Sequence, residues 1–257
     1  LPLTRKRFHY DWHWQWEYGN GDLGNQGIHQ MDLCRWALGE DRLGDRVWSF
    51  GGRFGYEDAG ETANTQIVVH DYGPRKLIFE VRGLETPEYK GAKVGIIVEG
   101  SKGYLVMTSY SSGTAFDLEG NAIAQFQGGG DDRHYKNFTD AMRARDHRIL
   151  NADVEDGHLS SALCHLGNIS LRLGNSIESS DMQAAVREFG GGDVVEDAWN
   201  RTAAHLADSK VGNYQVQIGR SLQVDPVSES FVGNDPPNHW LTRDYRAPYT
   251  IPSEAAV

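Results

Sequence analysis

Between residues 46 and 126 the apolar side chains recur with a period of two, and from 131 to 207 with a period near 3.6. A block of strands followed by a block of helices is not the alternation that builds a parallel sheet, and it predicts an α+β fold. Segments 65–70 and 76–82 read as a hairpin around Asp71-Tyr72-Gly73-Pro74. In the second of these, Leu77, Phe79 and Val81 alternate with Lys76, Ile78, Glu80 and Arg82, the pattern of a half-buried antiparallel strand. Further strands are expected at 46–54, 93–99, 104–108, 115–118 and 122–126. Helices are expected at 131–145, 159–173 and 194–207. An earlier helix is expected at 25–38, stopped by Gly39. From residue 211 onward Asp, Pro and Asn predominate, and the chain reads as an irregular wrapping tail.

Length and charge narrow the partners. The 257 residues are ample for a real core, and 25 basic against 36 acidic side chains leave a net charge of −11. A field of that sign repels phosphate backbones and anionic lipid, so neither nucleic acid nor membrane is an expected partner. No apolar run approaches the 18 residues that a spanning helix needs. The two cysteines, Cys34 and Cys164, fall in expected helices and read as buried thiols rather than a disulfide framework. The chain begins at Leu1 with no methionine before Met31, and reads as a processed product or part of a longer chain.

Several motifs carry possible chemistry. Gly19-Asn20-Gly21-Asp22-Leu23-Gly24 matches G-x-G-x-x-G before a helix. A dinucleotide loop needs an apolar strand ahead of it, and here the preceding residues are Trp12-His13-Trp14-Gln15-Trp16-Glu17-Tyr18. The glycines therefore read as a turn entering a helix. His29 has Asn25 four residues before it and Asp32 three after it, which places all three on one helical side. An imidazole with an ordinary pKa of about 6.5 in that setting suits a general base, and equally suits a buried, hydrogen-bonded histidine. His158, His165 and Arg172 recur every seven residues, with Ser161 and Asn168 close to that line. Two turns put the imidazoles about 10.5 Å apart, too far for one ion, so a polar stripe facing a cleft or a subunit contact is expected. His9 and His13 lie in an aromatic loop and read as packing rather than a zinc site. His134, in a helix start capped by Asp131-Asp132, is a candidate to face the same cleft as His29. No Gly-x-Ser-x-Gly, His-Glu-x-x-His or Cys-x-x-Cys motif occurs.

At Trp12-His13-Trp14 and through Gly24-Asn25-Gln26-Gly27-Ile28-His29-Gln30-Met31-Asp32 the sequence resembles the Gfo/Idh/MocA oxidoreductases, the relatives of glucose–fructose oxidoreductase and inositol dehydrogenase. It resembles in particular a bacterial branch with this Gly-Asn-Gln-Gly-(Ile/Val)-His-Gln-Met-Asp signature. The likeness continues in Gly51-Gly52-Arg53-Phe54-Gly55-Tyr56, Phe79-Glu80-Val81-Arg82-Gly83-Leu84, Gly100-Ser101-Lys102-Gly103-Tyr104 and Gly157-His158-Leu159-Ser160-Ser161-Ala162. It reaches Leu241-Thr242-Arg243-Asp244-Tyr245-Arg246-Ala247-Pro248-Tyr249 in the tail.

The resemblance implies an α+β C-terminal domain of the dihydrodipicolinate-reductase-like kind, an open, mostly antiparallel sheet with helices packed on one face. It divides the chain into a linker and aromatic loop at 1–24, a substrate and oligomerisation domain at 25–210, and the tail at 211–257. It implies that NAD or NADP is held by an N-terminal Rossmann domain that this chain lacks, together with that domain's Glu-Lys-Pro motif, so that this chain alone binds no coenzyme. The expected partners are that domain, a sugar-like small molecule and further copies of the chain through the sheet. The family's catalytic Asp-x-x-x-His maps onto Asn25 and His29. A neutral asparagine there orients the ring without stabilising imidazolium by charge. Trp12, Trp14, Gln26, Arg53, Tyr56 and His134 are the candidate substrate contacts, Trp16 a further stacking candidate, and Asp32 is expected to brace its helix.

The implied activity is oxidation of a sugar or polyol hydroxyl. Glycoside cleavage through transient oxidation and elimination, and a non-catalytic binding or oligomerisation module, are the alternatives. Relatives of this branch are often exported by a twin-arginine leader, which leaves bacterial cytoplasm and periplasm both open.

Overall fold

The computed structural model describes residues 8–233 and 236–252. The order of elements is α1 (Phe8–Asp11), α2 (Gly21–Asn25), α3 (Gly27–Leu38), β1 (Arg46–Gly52), β2 (Thr65–Asp71), β3 (Lys76–Arg82), β4 (Ile96–Gly100), β5 (Gly103–Ser109), β6 (Ser112–Phe116) and β7 (Ala122–Gln127). There follow α4 (Asp132–Ala144), α5 (Val154–Arg172), β8 (Asn175–Glu178), α6 (Met182–Phe189), α7 (Asp193–Asp208), β9 (Gln215–Ile218), β10 (Leu222–Asp225) and β11 (Ser230–Phe231). Short 3-10 turns sit at Trp12–Trp14, His147–Ile149, Ser179–Asp181 and Pro236–Leu241.

The strands form two antiparallel sheets, one of seven strands and one a four-stranded meander β4-β5-β6-β7. In the larger, β1 pairs along one edge with β2, which pairs with β3. Its other edge is shared: β10 pairs at Arg46 and Val47, β9 at Phe50 and Gly51. The segment expected to be an irregular tail from 211 thus supplies three sheet strands. Each has only two to four residues, too few for an alternating apolar pattern to register before pairing with β1 reveals it.

The α+β class and the antiparallel pairing are as expected, whereas the one-faced helical cover is not. Along β1 and β2, Val47 and Val68 face a core built with Leu23, Met31, Leu159, Leu163 and Ile169 of α2, α3 and α5. Their neighbours Trp48, Phe50, Ile67 and Val69 face a second core with Met182, Val186, Val195, Ala198 and Leu206 of α6 and α7. Successive side chains point to opposite faces, so a strand apolar on both demands cover on both. Each such fully buried side chain contributes about 1.5–3 kcal/mol of transfer free energy. Helix α6 carries the second cover with α7, and its eight residues were not anticipated.

A buried polar ladder fixes the start of α2 against α5. Gln66 Nε2 donates to Ser49 Oγ at 2.9 Å and to Asn168 Oδ1 at 3.3 Å, while Asn168 Nδ2 donates to the Asn20 carbonyl at 2.8 Å. Helix α3 ends where expected, with Gly39 left-handed at φ +67° closing its last carbonyls.

The four-stranded sheet is differently placed. Ile123 and Phe126 on β7 and Leu118 in the turn before it are exposed, as are Tyr135, Phe138 and Met142, which share the apolar side of α4. Among the described residues no helix is long and apolar enough to cross a membrane.

Candidate functional site

A cleft of about 520 Å³ opens where α3, the N-terminal half of α5 and the β5–β6 hairpin meet. Helix α3 contributes Ile28, His29, Asp32 and Leu33. The start of α5 and the residues before it contribute Ala152, Asp153, Asp156, Gly157 and Ser160, and the hairpin tip contributes Tyr110. His29 is exposed there, not sealed in the core. Its ring lies 5.4 Å from that of Tyr110, tilted by 45°. The Tyr110 hydroxyl accepts a 2.7 Å hydrogen bond from Gln26 Nε2, which also donates to Gln30 Oε1 at 3.2 Å.

The floor is charged and closely bonded. Arg35, one turn beyond Asp32, is 2 % exposed. It donates through Nη2 to Asp156 at 2.8 Å, through Nε to Ser160 Oγ at 3.3 Å and through Nη1 to the Glu40 carbonyl at 2.9 Å. Ser160 in turn donates to Asp32 Oδ1 at 2.6 Å. A buried guanidinium is tolerable only when its donors are matched in this way. Asp153 caps α5 by accepting from the Glu155 amide, and its other oxygen meets His147 Nδ1 at 2.6 Å. The His147 hydrogen bond, with the capping amide, holds the Asp153 carboxyl below the usual range.

The sequence candidates distribute unevenly over this geometry. His29 lines the cleft. Asp32 braces its helix through Ser160 as expected and also reaches the cleft wall. Gln26 touches Tyr110 rather than the cleft itself. Asn25 is exposed at the end of α2, and no hydrogen bond joins it to His29 among the described residues. The ring's partner is Tyr110, 81 residues further on. Only hairpin docking brings it there, and no local spacing signals it.

Arg53 and Tyr56 lie away from the cleft. Arg53 grips Asp58 through Nε at 2.7 Å and Nη2 at 2.5 Å and donates to the Thr62 carbonyl, while Tyr56 donates to the Gly83 carbonyl. Both side chains tie down the 53–64 loop. Trp14 Nε1 reaches Asp22 at 3.4 Å, and the Trp14 carbonyl accepts from Glu61 and Thr62. Trp12 is half exposed beside His13. His134 is exposed at the start of α4 against Tyr135 and is not among the cleft residues.

The polar stripe on α5 faces the chain's own tail and its N-terminal aromatic loop instead of an open cleft. His158 Nε2 meets Glu229 at 2.5 Å, and the Arg172 guanidinium lies 4.6 Å from the Trp16 ring and 4.3 Å from the Trp240 ring. Trp16 is thus used as a packing surface. Asn168, placed near the same stripe, is buried in the ladder to Asn20.

The residues of Gly19–Gly24 do not fit a dinucleotide phosphate. Among the described residues no strand precedes them. Gly21, at φ +73°, packs so closely on Thr62 that an added Cβ would lie 2.8 Å from its Oγ1, and Gly24 is closed over by the Asn20 side chain. Nor does any group of three or more His, Cys, Asp or Glu among the described residues make a metal site. The side chain of His9 lies outside the described residues.

The comparisons with known proteins bear on this site. Residues 3–106 match the model of the GFO/IDH/MocA C-terminal domain, a stretch that holds His29 and the α2–α3 segment. Over those residues the chain is similar to that domain family. The resemblances at 157–162 and 241–249 fall beyond the matched stretch.

Solved structures also match in part. The WlbA dehydrogenase from Bordetella pertussis, in complex with NADH and UDP-GlcNAcA, is 21 % identical with a TM-score of 0.41. The match covers 62 % of this chain and 47 % of that one. An oxidoreductase from Bacillus cereus is 17 % identical, TM-score 0.39, over 58 % and 47 % of the two chains. An oxidoreductase from Agrobacterium radiobacter, in complex with NAD+, L-tartaric acid and magnesium, is 15 % identical, TM-score 0.36, over 54 % and 43 %. The chain spans about half the length of the solved structures it matches. No curated protein matches.

Proposed function

We propose that this chain is the substrate-binding C-terminal domain of an NAD(P)-dependent oxidoreductase that acts on a hydroxyl of a sugar or polyol. The observation that carries the reading is His29: it belongs to the family-matched segment and stands exposed in the wall of a cleft of suitable size. In this reading a substrate hydroxyl lies against His29, whose ring nitrogen accepts the proton as the carbon is oxidised. Tyr110 limits how the ring turns, and the part-exposed Asp32 carboxylate offers an acceptor to a neighbouring hydroxyl. No residue of this chain is assigned to the coenzyme, which belongs in this reading to a separate nucleotide-binding domain.

The same reading gives the exposed apolar side of α4 and the outer strand β7 to a second copy of the chain. Five large apolar side chains, each more than half exposed, lie on these two elements, an amount of exposed apolar surface that a monomer seldom leaves in water.

The test is His29→Ala in the protein that joins this chain to its nucleotide-binding domain, with reduced coenzyme followed over a panel of polyols. A fall in turnover of about 10²–10⁴-fold is expected. Turnover close to that of the parent removes His29 from the chemistry.

A further inference from the structure

The charged groups that the cleft shows to solvent are all of one sign. Asp32, Asp153 and Asp156 leave 30 %, 28 % and 37 % of their side chains exposed, and no lysine or arginine lines the cleft. Arg35, the cation beneath them, is buried and spends its Nε, Nη1 and Nη2 on Ser160, the Glu40 carbonyl and Asp156. A ligand entering the cleft therefore meets the carboxylates without meeting the guanidinium. His147 bonds Asp153 from outside the lining. The whole chain, at −11, reinforces the same field.

We propose that the cleft selects polyols that carry an ammonium group and rejects those that carry a carboxylate or phosphate, with Asp153 and Asp156 as the specificity-determining residues. This rests on the reading above that substrate lies beside His29. The hydroxyl chain of the ligand runs toward His29 and Tyr110 on α3 and the hairpin, while its ammonium end sits at the start of α5. Carboxylates can accept from hydroxyl and ammonium donors alike. They cannot pair with an anion, and the buried Arg35 offers it no compensating donor.

The experiment uses three probes that differ at one carbon: 1-amino-1-deoxysorbitol, sorbitol and gluconate. Each is titrated into the chain at pH 7 and low salt while the His29 ring resonances are followed by NMR. The amine is expected to bind about fivefold more tightly than sorbitol, and gluconate more weakly than either, the scale of one or two solvent-open ion pairs. Asp153→Asn keeps an amide oxygen to cap α5 and is expected to lower the preference for the amine over sorbitol about two- to threefold, its effect on the amine exceeding its effect on sorbitol. Because Asp156 also holds Arg35, its part is read with salt instead: 0.5 M salt is expected to erase most of the preference in the unaltered chain.

Gluconate binding as well as the amine, or a preference indifferent to both salt and Asp153→Asn, overturns the proposal. If the amine binds with this pattern but the protein with its nucleotide-binding domain oxidises no polyol, the redox reading fails and the charge selectivity stands. Oxidation of sorbitol and gluconate on equal terms with the amine fails the selectivity alone.

Discussion

The ring of Tyr110 rests 5.4 Å from that of His29, with its hydroxyl tied to Gln26 three residues before that histidine. The hairpin of one sheet thereby closes a side of the cleft whose other walls are helical. Because Tyr110 is more than half exposed, its loss should cost stability no more than about 0.5 kcal/mol. Tyr110→Ala is expected to move the His29 ring resonances and leave those of His158 in place. Tyr110→Phe, which keeps the ring and loses the Gln26 bond, should move them less.

Arg35→Met leaves Asp156 and Asp32 without their buried cation. The carboxylates left behind stay part-exposed, so the cost is about 1–3 kcal/mol, and urea unfolding measures it. Asp156→Asn should be the milder change, because the amide oxygen still accepts from the guanidinium.

Stability should fall as the solution is acidified below neutral. Burial lowers the His70 imidazole from its usual 6.5 to about 3, so below pH 6.5 the unfolded chain takes up a proton that the folded one refuses. The stabilisation is complete above about pH 7 and is lost progressively as pH falls. Between pH 6.5 and 5 it amounts to about 2 kcal/mol from this group. His205, lowered by burial and by Arg82, acts in the same direction. Thermal melts across this range should show the slope, and His70→Gln should flatten it.

Trp240→Ala removes one of the two rings that enclose Arg172. A cation–π contact of this kind contributes about 0.5–1 kcal/mol. The expected result is a small drop in melting temperature with faster proteolysis after residue 241, and cleavage at an unchanged rate would show that this stack does not hold the segment.

A charge placed on the exposed apolar side, Phe126→Lys or Phe138→Lys, should disperse any assembly formed through the four-stranded sheet and α4. Light scattering with size exclusion reads this directly. Both side chains are exposed, so the melting temperature of the dispersed protomer should stay within a few degrees of the parent's.

The parts of the fold that were legible beforehand are those whose pattern runs long enough to repeat. The β2–β3 hairpin, the helix ending at Gly39 and α5 each carry several periods of apolar residues. Strands β9, β10 and β11 do not: β9 and β10 acquire their identity from the free edge of β1, and β11 from β10. At the site, His29 was visible because the signature from Gly24 to Asp32 is contiguous. Arg53 and Tyr56 stand away from the cleft, and from sequence a polar side chain beside glycines looks alike whether it meets a ligand or, as here, Asp58 and Gly83.

By itself the order of residues determined the class of fold, the antiparallel pairing and the helix that carries His29, because periodicity and caps act over a few neighbouring residues. Only the tertiary structure decided that both faces of the larger sheet are covered, that Arg35 pairs with Asp156, and that Tyr110 stands against His29. The last two relations join positions 121 and 81 residues apart, and nothing in local spacing encodes which distant side chain a docked hairpin or helix will bring within reach.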